Sequence, residues 1–145
     1  PFEATQLLRG MRTLFLRVRQ SSQSALQIAQ ALASHNAISE VLYPGLPDFP
    51  GHEIAAKQMT DGFGGMLSIR LKNGEAAAIA TAANVQLWHR ATSLGGVESL
   101  LEHRGSIEGA GSPVPLDLLR LSTGIEDPQD LISDLNDALN RASDI

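Results

Sequence analysis

The chain contains no cysteine. Disulfide staples, a thiol nucleophile and thiolate metal sites are therefore excluded. Aromatic residues make up only 4%, so aliphatic side chains and alanine must fill any core. No apolar run approaches the roughly 20 residues of a membrane-spanning helix, and no signal-peptide pattern opens the sequence; a cytoplasmic protein without a membrane partner is the expectation. Basic residues are scarce: 11 Lys and Arg stand against 16 Asp and Glu, a net charge of −5, with a pI near 5.2. That balance argues against a nucleic-acid partner and an anionic membrane surface. The histidines His35, His52, His89 and His103 show no paired ligand spacing, so no metal site is expected. There is no internal repeat, no low-complexity tract and no G-x-S-x-G elbow. The run Asp61-Gly62-Phe63-Gly64-Gly65 feeds a strand rather than a helix, which rejects a nucleotide loop and leaves a tight turn.

What is present suffices for one domain: 145 residues, 43% of them hydrophobic. Residues 1–19 read as helical with a break near Gly10, and Arg9, Arg12, Arg17 and Arg19 crowd that stretch. Ala25, Ile28, Ala29, Leu32 and Ala33 repeat at helical spacing, a stripe to be laid on a sheet, with His35-Asn36 as the stop. Strands are expected at 38–43, 66–71, 99–102 and 118–122. Shorter helices are expected at 52–59 and 75–83, and a loop at 104–115. Asp127 followed by Pro128 and Asp130 reads as a helix start, with Leu131, Ile132, Leu135, Ala138, Leu139 and Ala142 as its buried stripe. The order gives a mixed α/β (α+β) domain, mostly antiparallel strands with helices on one face.

Two runs carry the candidate chemistry. Thr92-Ser93-Leu94-Gly95-Gly96-Val97-Glu98-Ser99-Leu100 places a hydroxyl just before two glycines, so that Ser93 and backbone N–H groups can approach a small ligand. Leu119-Arg120-Leu121-Ser122-Thr123-Gly124-Ile125-Glu126-Asp127 places an arginine within a strand pattern. Leu118, Arg120 and Ser122 share one face of that strand. A guanidinium there needs a carboxylate, either from a ligand, with Ser93 assisting, or from an internal acid such as Glu98. Spacing leaves both readings open. His89-Arg90, just before the first run, is either part of a pocket wall or a solvated loop.

These runs also carry a resemblance. Together with Leu7-Leu8-Arg9-Gly10-Met11-Arg12-Thr13-Leu14, Tyr43-Pro44-Gly45-Leu46-Pro47, Pro50-Gly51-His52 and Gly62-Phe63-Gly64-Gly65-Met66-Leu67-Ser68, they form an ordered set along the whole chain. The set resembles the C-terminal part of the Cys/Met-metabolism (trans-sulfuration) enzymes that use pyridoxal phosphate. The resemblance implies the small domain of the aspartate-aminotransferase-like fold, residues 37–145, preceded by a helical segment, 1–36, linking to a large domain. It implies that Ser93 and Arg120 bind the α-carboxylate of an amino-acid substrate, and that the cofactor and the catalytic groups belong to the large domain. It implies assembly into homotetramers and β- or γ-elimination or replacement on cystathionine or homoserine-derived substrates.

Lys57 and Lys72, the two lysines, lack the Ser/Thr-rich context of the family's Schiff-base lysine. The chain alone is therefore expected to be inactive. It opens without Met and already within a helical pattern, which reads as a fragment. Two departures from the resemblance stand out: Thr92 occupies the place of a common Glu, and Glu102-His103 is followed by Arg104 and a compact loop instead of Pro and a longer insert. A free-standing, non-catalytic carboxylate-binding domain is the alternative function.

Overall fold

The computed structural model describes residues 1–109 and 111–143. Six helices and five strands follow in the order α1 (Phe2–Met11), α2 (Leu14–Leu32), β1 (Ile38–Leu42), α3 (His52–Gln58), β2 (Met66–Leu71), α4 (Gly74–Asn84), β3 (His89–Arg90), β4 (Leu100–His103), α5 (Arg104–Glu108), β5 (Leu118–Ser122) and α6 (Pro128–Ala142). The strands form one sheet in the order β1-β2-β5-β4-β3. Every pairing is antiparallel except β3 with β4. The expected architecture is thus observed. Two elements were not anticipated: the two-residue strand β3, too short for any alternation to show, and the single-turn helix α5 inside the expected loop 104–115.

The core follows from strand alternation. Leu67, Ile69 and Leu71 on β2, Leu101 on β4, and Leu119 and Leu121 on β5 are buried on one face. They merge with Ala25, Ile28, Ala29 and Leu32 of α2, Ala77 and Ala78 of α4, and Leu131, Leu135 and Leu139 of α6 in a single cluster. Ala33, expected in the α2 stripe, is exposed because the helix ends at Leu32 and Ala33 is its cap. The α6 start is as expected: Asp127 Oδ1 accepts from the Gln129 and Asp130 N–H groups, with Pro128 in the first turn.

The break expected near Gly10 falls at Arg12-Thr13, between α1 and α2. Helix α1 buries no residue, whereas the second half of α2 is part of the core. Between them Phe2, Leu7, Phe15 and Leu16 are exposed, Phe15 by 81%.

Polar groups fix the loops that lead to the candidate site. Ser22 Oγ, buried on α2, accepts from the N–H groups of Phe63 and Gly64, and Thr123 N–H donates to the Gly65 carbonyl at 2.8 Å. Asp134, in the middle of the α6 stripe, accepts from Gln86, Leu87 and Trp88 N–H at 2.8–3.2 Å. That carboxylate anchors the segment running from α4 into β3.

Candidate functional site

On the face of the sheet opposite the helices, β5 carries Arg120 with Ser68 of β2 on one side and Glu102 of β4 on the other. The antiparallel register dictates this: Leu101 pairs with the buried Leu121, so Glu102 must share the open face with Arg120. Arg120 NH1 donates to Glu102 Oε1 at 2.9 Å and to the Ser93 carbonyl oxygen at 3.1 Å. Its Nε and NH2 have no hydrogen-bond partner among the described residues. The structure therefore brings Ser93 and Arg120 together, through the Ser93 backbone; the Ser93 side chain is exposed.

The internal acid is Glu102, not Glu98. Glu102 is 5% exposed and fully engaged: Oε1 also accepts from Arg104 NH1 at 2.8 Å, and Oε2 accepts from the Thr92 hydroxyl at 2.6 Å. Burial pushes its carboxyl up, but the hydrogen bonds from Thr92, Arg104 and Arg120 outweigh burial and hold it below the usual carboxylate range. Glu102 is thus ionised at neutral pH. Arg104 completes the group by pairing through NH2 with Glu108.

The same face holds an instructive comparison. Arg70 on β2 gives its Nε to both oxygens of Asp117, at 3.0 and 3.2 Å, and its NH1 lies 3.5 Å from Glu40. Two internal carboxylates take both sides of its guanidinium. Arg120 is held through NH1 alone and keeps an unused donor edge.

The loops on either side are stitched together. Ser99 N–H and Oγ–H donate to the two oxygens of Glu126 at 2.7 and 2.8 Å, Ser99 Oγ accepts from Gly124 N–H, and Ile125 N–H donates to the Val97 carbonyl. A Cβ at position 124 would stand 2.2 Å from the Val97 carbonyl oxygen, so only glycine fits. The two motifs read separately in the sequence thus form one joined unit beneath Ser93 and Arg120.

This motif arrangement spans the chain, and the sequence profile of the Cys/Met metabolism PLP-dependent enzymes matches residues 1–140. The chain belongs to that family. Similar curated proteins of the Cys/Met metabolism family include cystathionine gamma-synthase of Mycobacterium tuberculosis, 51% identical over 144 residues. The match covers 96% of this chain and 37% of that protein. Cystathionine gamma-lyase of Saccharomyces cerevisiae is 42% identical over 153 residues, covering 99% and 39%. Among solved structures, metB from Corynebacterium glutamicum superposes with a TM-score of 0.87 at 49% identity, covering 92% of this chain and 36% of the other. The chain therefore spans 36–39% of the length of these relatives.

The remaining sequence candidates sort as follows. Arg90 is exposed and, with Thr92 and Glu102, borders a cavity of about 390 Å³ whose apolar wall includes Ile79, Ala82 and Ile107. Three histidines serve local structure. His35 Nδ1 accepts from Ala37 N–H, and His52 Nδ1 lies 2.7 Å from the Pro44 carbonyl oxygen. His103 accepts at Nδ1 from Ser106 N–H and stands 2.6 Å from the Leu116 carbonyl through Nε2. A carbonyl can only accept, so Nε2 carries the proton there. Sequence reasoning missed Glu102, Thr92 and Arg104 as a group. One signal was available: Glu102 is a carboxylate inside the strand Leu100–His103, where it needs a cation or solvent to satisfy it.

Proposed function

We propose that this chain supplies the substrate-carboxylate grip of a pyridoxal-phosphate-dependent trans-sulfuration enzyme, acting by elimination or replacement at the β or γ carbon of cystathionine or a homoserine-derived substrate. The observation that carries the reading is the unused donor edge of Arg120, Nε and NH2, beside the exposed Ser93. A planar fork matches a carboxylate in two parallel hydrogen bonds and fixes its plane as well as its position. Pyridoxal phosphate, when bound, supplies the electron sink for cleavage at the substrate Cα. The part of this chain is to orient: a carboxylate clamped by Arg120 and the Ser93 hydroxyl sets the direction of the Cα bonds.

The cofactor itself suits a different part of the protein. Lys57, on α3, and Lys72, just after β2, are both exposed. A Schiff-base lysine is instead held in a desolvated site. The apolar surface of α1 and of the first turns of α2 fits packing against that cofactor-holding part, within a closed homo-oligomer.

The test is kinetic, in the complete enzyme. Arg120→Lys keeps the charge and loses the fork, and kcat/KM is expected to fall about ten- to a hundredfold, the worth of one charge-assisted hydrogen bond. Arg120→Ala is expected to cost more and Ser93→Ala least, all three retaining the cofactor. A loss in Arg120→Ala of no more than about twofold in kcat/KM would make the arginine structural and end this reading.

A further inference from the structure

We propose that Glu102 is a positioning residue for Arg120: by taking NH1 it turns the Nε–NH2 edge of the guanidinium toward the substrate carboxylate, and Thr92 and Arg104 hold it in that role. The inference rests on the carboxylate-binding reading of Arg120. An arginine on a strand has a long side chain with many rotamers, and an affinity built on a two-bond fork is lost if the fork wanders. Here NH1 is tied at two points, Glu102 Oε1 and the Ser93 carbonyl. Glu102 cannot swing with its partner. Its Oε2 is held by the Thr92 hydroxyl and its Oε1 is shared with Arg104, whose other end is held by Glu108.

Charge follows the same logic. A carboxylate beside Arg120 would ordinarily cancel the charge a ligand anion needs. Arg104 shares the same Glu102 oxygen, so the Glu102 charge is divided between two guanidiniums and does not neutralise Arg120 alone. With Glu108 on Arg104 the four groups sum to zero, and what Arg120 offers an incoming carboxylate is its unused donor edge. Arg70 shows the other outcome on the same sheet face, a guanidinium spent on two internal acids. Which nitrogen the internal carboxylate takes separates the two cases: Nε at Arg70, NH1 at Arg120. Thr92 thereby has an assignment of its own as the hydroxyl that fixes the positioning carboxylate.

The experiment is calorimetric binding to the complete holoenzyme of two probes, norleucine and pentylamine. The second lacks only the carboxylate, and neither carries a leaving group. In Glu102→Gln the norleucine Kd is expected to rise about tenfold, with pentylamine unchanged within about twofold. In an Arg120→Ala background Glu102→Gln is expected to add nothing further, because a residue acting through Arg120 has nothing left to act on. Thr92→Val, which removes one hydroxyl at the surface of the cluster, is expected to move norleucine in the same direction by about threefold, so the proposal stays testable if Glu102→Gln folds poorly. A parallel loss for both probes, or additivity of Glu102→Gln with Arg120→Ala, would overturn it as mere structural damage. Should Arg120→Ala collapse the norleucine preference while Glu102→Gln and Thr92→Val leave it intact, the positioning role alone fails. Should Arg120→Ala leave the preference intact, the carboxylate reading fails and this one with it.

Discussion

At Ser93 the backbone stands at φ 133°, in the region that L side chains rarely adopt. The conformation aims the Ser93 carbonyl at Arg120 NH1. Such a residue stores about 1–3 kcal/mol that the surrounding structure must hold. Glycine would remove the strain and alanine would not, while both remove the hydroxyl. Ser93→Gly is therefore expected to be more stable than Ser93→Ala by about 1 kcal/mol in urea unfolding. The two variants should lose kcat/KM equally, within a factor of about two, if the hydroxyl is what the substrate uses. A larger loss in glycine alone would assign the function to the strained backbone. The sequence announces Ser93 and Arg120 through their motifs, but not that they meet through a carbonyl. Nor does it reveal that the acid on Arg120 is Glu102. That pairing depends on the β4–β5 register, which no local pattern contains.

Among the elements, the long ones are legible and the short ones are not. The buried stripes of α2 and α6 and the alternation of β2 and β5 are strong periodic signals. The observed bounds of α6, β2 and β5 lie close to the expected ones. Helix α2 instead runs unbroken from Leu14 to Leu32, joining the second half of the helical stretch expected at 1–19 to the stripe that follows it. α5 is a single turn capped locally by His103 and too short to show a period, while β3 owes its conformation to partners distant in sequence. Asp134 shows how. It lies between Leu131 and Leu135, where a pattern reading sees only a polar interruption, yet it receives three successive backbone N–H groups from Gln86, Leu87 and Trp88. The Trp88 indole N–H reaches the Leu131 carbonyl on the same helix. These contacts set where β3 begins, and with it the approach of Thr92 and Ser93. Asp134→Asn keeps the shape but replaces one acceptor oxygen by a donor that faces backbone donors. It is expected to cost about 1–3 kcal/mol, read as a lower urea midpoint. Hydrogen exchange should quicken first at residues 86–90. Uniform quickening across the sheet would mean that Asp134 stabilises the core generally rather than this segment.

For the molecule as a whole, α1 stands apart energetically. It buries no residue, and Phe2, Leu7 and Leu8 are more than half exposed. Deleting residues 1–11 from the chain is expected to shift the unfolding free energy by less than about 0.5 kcal/mol, as for other surface changes. The same deletion should lower hydrophobic-dye binding. A clear loss of stability would show that α1 supports the core directly. Burial of α2 begins part-way along the helix, where Ser22 and the residues after it enter the core. Helical periodicity extends through both halves of α2 and so does not reveal which half is covered.

The strand order has a consequence for how the chain is made. Among the described residues β5 is the last strand in sequence, yet it lies in the middle of the sheet, between β2 and β4. During synthesis from the N-terminus, the β1–β2 and β3–β4 pairs have no strand to join them until β5 is made. Each offers an unpaired edge where β5 will later sit, and open edges of this kind invite pairing with other chains. A nascent polypeptide stalled before Leu118 would carry both open edges and no Arg120. The strand that closes the sheet is therefore also the strand that brings the guanidinium, and the sheet cannot be completed without delivering the site.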